Sequence, residues 1–255
     1  MHKYRHTIVT TSWDDGHPCD LRLAEELSSR QIPATFYVPI TGEAGKPVLT
    51  MLELRGLPRQ GFEIGAHTLT HQILPELHDG ELEREIRVSK HMLEQWLGCR
   101  VQMFCYPRGR YNNKVIKQVK ASGFDGARTT RMLSHAARFS PFEMPTSLQA
   151  YPHPHLGYLR NLGKRHDLTG IAHYLGKYSR CKTWVEVGKR LFDDALLRGG
   201  VWHLYGHSWE IEELALWNQL QEMLDYVKGR PGVVYATNSG ALKLVCEQVS
   251  GRDAA

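Results

Sequence analysis

Short runs of β-branched and aromatic residues alternate with longer amphipathic stretches along most of this chain, and that alternation constrains the fold more than any other feature. Ile8–Ser12 and Ala34–Val38 are typical of strands, and between them Asp20 begins a segment with apolar residues at helical spacing. Because parallel strands need a crossover connection, strands and helices that alternate about seven times predict an α/β fold. With 255 residues, a closed or nearly closed (β/α) barrel fits better than an open doubly wound sheet, which stays the alternative.

The other predicted elements follow the same alternation. Strands are predicted at Phe62–Ile64, Val101–Cys105, Val201–Tyr205 and Val233–Ala236. Helices are predicted from Thr50, over Glu81–Leu97, Lys114–Ser122, Thr183–Arg198 and Ile211–Lys228, and from Ala241. The segment from Arg131 to Asp167 is rich in Pro and His and is predicted to be irregular, with one candidate strand at Glu143–Gln149. No repeat or Pro/Ser-rich linker divides the chain, so we expect one domain over residues 1–255.

Composition narrows the class of protein. Hydrophobic residues make up 42% and charged residues 23%, as in ordinary globular proteins with a core. The formal net charge is +5, but Lys and Arg are scattered, which argues against a nucleic-acid partner and leaves an anionic small substrate open. The five cysteines form no C-x-x-C pair, so reduced thiols are expected rather than a disulfide framework. The N-terminus lacks an apolar leader and no stretch of 18 apolar residues occurs; we therefore expect a cytoplasmic protein without a membrane span.

Three polar clusters each follow a predicted strand directly. They are Trp13–His17 after the first strand, His67–His71 after the third, and His207–Glu210 after the strand near Tyr205. In a (β/α) barrel the carboxyl ends of the strands meet at one face, where active sites lie. Each cluster alone is more typical of a turn or a structural histidine pair. Their common position therefore predicts one cleft.

The residue types in these clusters are suited to a catalytic metal. One carboxylate and two neutral imidazoles are a common ligand set for a divalent cation with an open position for water. His67 and His71 lie four residues apart, and Asp15 would be the third ligand. A bound cation lowers the pKa of its water towards about 7 and polarises a carbonyl group. Asp14 is then the candidate base, and a histidine on the far side is the candidate acid.

These motifs resemble the polysaccharide deacetylase family, also called the NodB-homology or carbohydrate esterase 4 group. Ser12–Gly16 is similar to the family's first motif, a strand ending in (T/S)-(F/Y/W)-D-D-G, and His67–His71 to its second, H-(S/T)-x-x-(x)-H. The resemblance covers nearly the whole chain. It implies a distorted (β/α) barrel, Asp14 as the catalytic base, and a metal held by Asp15, His67 and His71.

The third motif departs from the family pattern. The family usually has F-R-x-P-x-G, whereas Phe104–Gly109 has Cys105 in place of the arginine that orients the base. Arg108, Arg110 or Arg128 could supply that group from another position. The backbone N–H of Arg108, just after the proline, matches the family's oxyanion donor, so Arg108 is included among the catalytic candidates.

The last motif is a strand that ends in the general acid, and Val201–His207 offers two histidines. His207 is favoured because it lies at the strand end, before Ser-Trp-Glu. His203 is interpreted as inward-facing support or a packed core residue, and Trp209 as a cleft wall or a core residue. The family's Asp–Trp motif is not evident. Tyr151–His155 could line the cleft, but a rigid, solvated loop is the favoured interpretation.

Together these features predict a metal-dependent hydrolase that removes an N-acyl group, with acetyl expected, from an amino sugar. Zn²⁺ is the default metal for the ligand type, and Co²⁺, Ni²⁺ or Mn²⁺ could substitute for it. One alternative is an amidohydrolase or deformylase that acts on another small non-peptide amide. A second alternative, favoured by Cys105 at the arginine position, is a non-catalytic glycan-binding relative.

Overall fold

A parallel β-sheet forms the centre of the protein. The computed structural model describes residues 6–43, 45–164 and 166–253. Their strands are β1 (Thr7–Asp14), β2 (Ala34–Val38), β3 (Glu63–Ala66), β4 (Met103–Cys105), β5 (Gly126–Arg128), β6 (Leu148–Gln149), β7 (Gly200–Gly206) and β8 (Val233–Tyr235). Seven run in the order β5-β4-β3-β2-β1-β7-β6, and β8 pairs with β1. Every pairing is parallel, so the predicted α/β fold with a distorted barrel is confirmed.

The helices connect consecutive strands as a parallel sheet requires. They are α1 (Asp20–Ser28), α2 (Met51–Arg59), α3 (Asp79–Leu97), α4 (Asn113–Ala121), α5 (His155–Gly163), α6 (Leu168–Lys177), α7 (Trp184–Arg198), α8 (Ser208–Glu213), α9 (Trp217–Val227) and α10 (Asn238–Asp253). Thr50 begins α2 with a reciprocal capping box to Glu53, and Gly98 ends α3 with φ 68°. None of the helices in the described ranges is long and apolar enough to cross a membrane.

Strand β1 positions the whole sheet. All eight of its residues are buried, as expected for a parallel strand covered on both faces. Thr7–Trp13 pairs with all of β7 on one side. On the other side the first three residues of β1 pair with β8, and Thr11–Asp14 pairs with β2. Because β1 is central, the side chains at its carboxyl end lie in the middle of the face that the carboxyl ends of the strands form.

An irregular segment connects β5 and β6, the two outer strands of the sheet. The Met144 backbone N–H donates to the Ala127 carbonyl at 2.9 Å, and the Thr129 N–H donates to the Met144 carbonyl at 2.9 Å. Four residues later the same segment forms β6, which pairs with β7. Of the candidate strand at Glu143–Gln149, only Leu148–Gln149 is a strand, because Met144 contributes a single bridge to β5.

Two sequence-based predictions of secondary structure were wrong, and two elements were not predicted. The segment from Arg131 to Asp167 contains a regular helix, α5, in which Tyr158 and Leu162 are buried one turn apart. The Pro- and His-rich sequence that precedes α5 obscured the helical spacing of these two residues. The helix predicted over Ile211–Lys228 is divided into α8 and α9, since Ala215 between them has φ 52°. Strand β5 and helix α6 were not predicted; the Gly-Ala-Arg sequence of β5 has little strand propensity.

Candidate active site

The carboxyl ends of the strands enclose a cavity of about 470 Å³. All six residues selected from the sequence as catalytic or metal-ligating line it: Asp14, Asp15, His67, His71, Arg108 and His207. They lie at the carboxyl end of β1 or in the segments that follow β1, β3, β4 and β7. The three polar clusters therefore meet at one face, as their positions after strands predicted.

Asp15, His67 and His71 form a group that could hold one metal ion. Their ligand atoms all lie within 4.8 Å of one another. The Asp15 Oδ1 atom is 3.7 Å from His67 Nε2 and 3.4 Å from His71 Nε2. This Oδ1 atom is buried and has no hydrogen-bond partner in the described part of the chain. A buried carboxylate oxygen without a partner, facing two imidazole nitrogens, fits a divalent cation.

The tautomer of His67 is determined by its other ring nitrogen. His67 Nδ1 lies 2.9 Å from the carbonyl oxygen of Cys105, which can only accept, so Nδ1 carries the proton and Nε2 keeps its lone pair. Burial lowers the pKa of His67 to about 4, so the ring is neutral at neutral pH. A neutral imidazole oriented by a backbone carbonyl is the usual form of a metal-ligating histidine.

Unusual backbone conformations turn the ligands towards each other. Asp15, Thr68 and His71 have φ values of 77°, 73° and 58°, which are rare for residues with a side chain. Adjacent side chains alternate in extended structure, so Asp14 and Asp15 can share the cavity only because the chain bends at Asp15. Left-handed residues of this kind cluster at functional sites, where the surrounding structure maintains them.

The loop after β3 is held by a residue that the sequence motifs did not indicate. The buried carboxylate of Glu85, on α3, accepts hydrogen bonds from the backbone N–H groups of Leu69 and Thr70 at 3.0 and 2.9 Å. The Thr68 hydroxyl accepts another from the His71 N–H at 2.9 Å. These bonds fix the turn that brings His71 back towards Asp15.

Arg128 is the arginine that contacts Asp14. Its guanidinium is fully buried, forms an ion pair with Asp14 Oδ1, and lies 5.2 Å from the ring centroid of Tyr37 and 4.8 Å from that of Tyr205. Burial alone would raise the pKa of Asp14, but the charge and hydrogen bond of Arg128, together with the charges of His67 and His207, hold that pKa below its usual value. Asp14 is therefore an ionised carboxylate at neutral pH.

The position of Arg128 explains the departure at Cys105. Cys105 on β4 and Arg128 on β5 are direct partners in the register of the two strands. The Cys105 thiol lies 3.8 Å from Asp14 Oδ2, and burial raises its pKa well above the usual value, so it stays neutral. The other two candidates point elsewhere: Arg108 pairs with Glu43, and Arg110 with Glu76 at 3.0 Å.

His207 is the histidine that lies on the far side of Asp14. Its Nε2 is 3.9 Å from Asp14 Oδ2, and its Nδ1 is 2.7 Å from Glu210 Oε2. Burial alone would lower the pKa of His207, but the hydrogen bond to Glu210 and the nearby carboxylates raise it above the usual value. The Glu210 carboxylate is therefore the main group that favours the protonated imidazole.

His203 has a structural environment instead. Its ring is fully buried between the Ser12 hydroxyl at 2.8 Å and the Pro145 carbonyl at 3.1 Å. Burial lowers the pKa of His203 to about 3, so the ring is neutral. His203 does not line the cavity, so of the two candidates for the acid, His207 is the one positioned to transfer a proton there.

Trp209 and the segment around His153 complete the walls. The Trp209 indole N–H donates to Asp15 Oδ2 at 2.9 Å, so this residue orients a candidate ligand as well as lining the cavity. His153 also lines the cavity and lies 2.9 Å from Gln149, whose amide donates to Glu210 at 2.9 Å. Of the two interpretations of Tyr151–His155, a cleft-lining segment and a solvated loop, the first therefore holds for His153, whose contact with Gln149 depends on a fold that local sequence does not reveal.

The chain is similar to known proteins in sequence, chiefly over its first half. The sequence profile described as Polysaccharide deacetylase matches residues 2–127. Peptidoglycan-N-acetylglucosamine deacetylase from Bacillus cereus is 28% identical over 119 residues, which are 46% of this chain and 54% of that protein. The chain spans about half or less of the length of the curated relatives it matches, between 32% and 54%.

Similarity in structure extends over almost the entire chain. A protein from Mycobacterium smegmatis has a TM-score of 0.69 with 17% identity, covering 98% of this chain and 93% of that one. The chitin deacetylase from Colletotrichum lindemuthianum has a TM-score of 0.57 with 14% identity, covering 93% and 88%. At such low identity these likenesses establish the fold.

Proposed function

Because the chain belongs to the polysaccharide deacetylase family, we propose that it is a metal-dependent hydrolase that removes an N-acyl group, with acetyl expected, from an amino sugar. The observation that carries this proposal is the metal-ligand triad next to Asp14 and His207 in one cavity. Two similar proteins are named as deacetylases, one of peptidoglycan N-acetylglucosamine and one of chitin, which supports an N-acetylated sugar as the substrate class. We further propose that residues 1–255 act as one domain.

Asp15, His67 and His71 are the residues that would hold the cation. Zn²⁺ suits one carboxylate and two imidazoles, and Co²⁺, Ni²⁺ or Mn²⁺ could occupy the same ligands. Bound there, a divalent cation supplies a Lewis acid that lowers the pKa of water and polarises the amide carbonyl. Trp209 and the Cys105 carbonyl orient two of the ligands through the hydrogen bonds described above.

Asp14 is the base in this proposal. Its carboxylate takes a proton from the water that attacks the amide carbonyl carbon. Arg128 keeps Asp14 ionised and holds one of its oxygens, which leaves Oδ2 on the side of His207. Arg128 thereby acts as a positioning residue in the role that the family assigns to the arginine missing at Cys105.

His207 is the general acid, and Arg108 contributes through its backbone. The protonated His207 imidazole donates to the amine nitrogen as the C–N bond breaks, and Glu210 stabilises that charged form. The Arg108 backbone N–H is the candidate donor to the oxyanion, and one such donor is typically worth about 3–4 kcal/mol in the transition state. The residue lies in a 3-10 turn and has φ 54°, which directs this peptide differently from a regular turn.

Acetate release from N-acetylglucosamine oligomers tests the proposal, with formyl and butyryl analogues to identify the acyl group. Metal-loaded protein is expected to release the acyl group, and chelator-treated protein is expected to lose that activity until Zn²⁺ is restored. If Zn²⁺-loaded, folded protein hydrolyses none of these amides, the proposed function is wrong.

A reducing, cytoplasmic location is part of the same proposal. Cys19, Cys99, Cys105 and Cys181 are free thiols. Unpaired thiols are typical of proteins that work in a reducing compartment. A fractionation experiment on the native host, with antibody detection of the protein, would test the location directly.

A further inference from the structure

Positive side chains reach the cavity from three separate parts of the chain. Lys46 comes from the loop after β2, Arg108 from the loop after β4, and Arg160 and Lys164 from the end of α5. Since these segments are far apart in sequence, the fold itself gathers the cations around the mouth of the proposed active site.

Most carboxylates in the cavity are already paired. Arg128 balances Asp14, and Arg108 forms an ion pair with Glu43. The remaining lining carboxylate, Asp15, belongs to the candidate metal site, where a divalent cation would exceed its charge. The acidic groups therefore do not offset the other cations.

Arg160 and Lys164 have no such compensation. Arg160 lies in the last turn of α5 and Lys164 is its C-cap residue, so the two are one helical turn apart. Both are exposed, both line the cavity, and within the described ranges neither forms an ion pair with a carboxylate. Asn161 between them is occupied by structural hydrogen bonds to Thr130 and Met132, which fixes this end of α5 against the cavity wall.

Lys46 occupies a surface that a neutral sugar would otherwise use. Its Nζ atom lies 3.2 Å from the ring centroid of Trp209, the tryptophan of the cavity wall. Sugar rings commonly stack on open aromatic faces, but here a cation covers the face. The described lining is thus adapted to bind charge more than to stack a neutral polymer.

We propose that the amino sugar hydrolysed at this site carries a phosphate group, which Arg160, Lys164 and Lys46 bind. The inference rests on the proposed function and specifies its substrate. Three uncompensated cations exceed the single charge of a carboxylate and are better balanced by a phosphate monoester or a diphosphate, each of which carries about two negative charges. The fork geometry of arginine also suits phosphate oxygens. The phosphate belongs either to a monoester or to a diphosphate that links the sugar to a carrier.

Kinetics with paired substrates test this assignment. Metal-loaded protein is assayed with N-acetylglucosamine 1-phosphate and 6-phosphate, with UDP-N-acetylglucosamine as the diphosphate, with N-acetylmuramic acid as the carboxylate, and with neutral methyl N-acetylglucosaminide. The wild type is expected to have a kcat/KM for at least one phosphate-bearing substrate about tenfold or more above the neutral one, and that preference should weaken with salt. The phosphate-bearing substrate with the highest kcat/KM shows whether the phosphate is a monoester or part of a carrier-linked diphosphate.

The double variant Arg160→Gln/Lys164→Gln is expected to reduce the ratio of phosphate-bearing to neutral kcat/KM by about tenfold, mainly through KM. If these cations only stabilised the end of α5, their loss would change kcat/KM equally for both substrates. The matched control, Arg84→Gln/Lys117→Gln, replaces exposed cations away from the cavity and should keep the wild-type ratio.

The phosphate assignment is wrong if the double variant keeps the wild-type ratio, or if the wild type prefers the neutral or the carboxylate substrate. Either result leaves the proposed hydrolysis intact. Calorimetric binding of N-acetylglucosamine 1-phosphate distinguishes the opposite case. If no amide is cleaved but this ligand binds the wild type and binds the double variant at least about tenfold more weakly, the hydrolase proposal fails while the anion site stands.

Discussion

Residues 2–127 and the residues that follow them contribute to the same cavity in different ways. The first part, which the family profile matches, contains the metal-ligand candidates and the base. The second part contains the proposed acid, His207, and the groups that adjust the base and the acid: Arg128 beside Asp14, and Glu210 beside His207. It also contains the cations of α5.

The metal-ligand candidates and the charges that support the catalytic residues therefore depend on different levels of structure. The ligand set depends on two short loops directly after β1 and β3, so local sequence is enough to specify it. The supporting charges depend on strand register and on helix packing, which place residues from distant parts of the chain side by side. We therefore expect loss of the metal ligands or the base in the first part to abolish the reaction, and changes to Arg128 or Glu210 in the second part to tune it.

Removal of a metal ligand is the largest expected effect. Asp15→Ala and His71→Ala should each lose stoichiometric metal, and acyl release should fall below detection, because two ligands do not replace a three-ligand site. Elemental analysis of the purified proteins measures the metal. His78→Ala removes an exposed histidine outside the cavity and should keep full occupancy. Full occupancy in both ligand variants would contradict the assignment.

Replacement of the base should separate chemistry from metal binding. Asp14→Asn keeps the shape of the side chain, so metal content should stay stoichiometric while kcat falls by about 10²-fold or more. Steady-state kinetics with the metal content measured on the same sample checks this. Turnover near that of the wild type would remove Asp14 from the mechanism.

Removal of Arg128 tests how the second part of the chain supports the base in the first part. Arg128→Met leaves a buried carboxylate without its partner, so the free energy of unfolding should fall by about 3–5 kcal/mol. Activity should fall by about 10- to 100-fold, the range seen when an outer partner of an active-site group is lost. Denaturant titration and steady-state kinetics measure the two effects.

The matched variant Cys105→Arg/Arg128→Cys returns the arginine to the family position. Because residues 105 and 128 are register partners, the guanidinium can reach Asp14 from either strand, and the swap should recover activity lost in Arg128→Met. Arg110→Met, which removes an exposed arginine paired with Glu76, should have little effect. A swap no more active than Arg128→Met, in a folded protein, would show that Arg128 does not fill the orienting role.

The smallest expected effect concerns the pH range of activity. His207 acts as an acid in its protonated form, so activity declines as the pH rises through its pKa. Glu210 raises that pKa, so Glu210→Gln should lower it and move the alkaline decline of kcat/KM to lower pH. A pH–rate profile measures the shift, with Glu213→Gln as the exposed control. An unchanged alkaline limb would contradict the assignment of the pair.

The sequence was informative where function depends on local spacing. The Asp-Asp-Gly turn and the two histidines four residues apart indicated the ligand group, and strand alternation indicated the barrel. Arg128 was only one of three candidates, because its pairing with Cys105 depends on the register of two strands that lie far apart in sequence. Glu85 gave no local signal, since it acts through a contact made by the folded chain.

The central claim is that Asp15, His67 and His71 share one divalent cation, and anomalous diffraction at the zinc edge from crystals of the Zn²⁺-loaded protein tests it most directly. The account predicts one strong peak bonded to all three side chains, at about 2.0–2.2 Å from each ligand atom. A peak bonded to other residues, or no peak at this triad in Zn²⁺-loaded crystals, would contradict it.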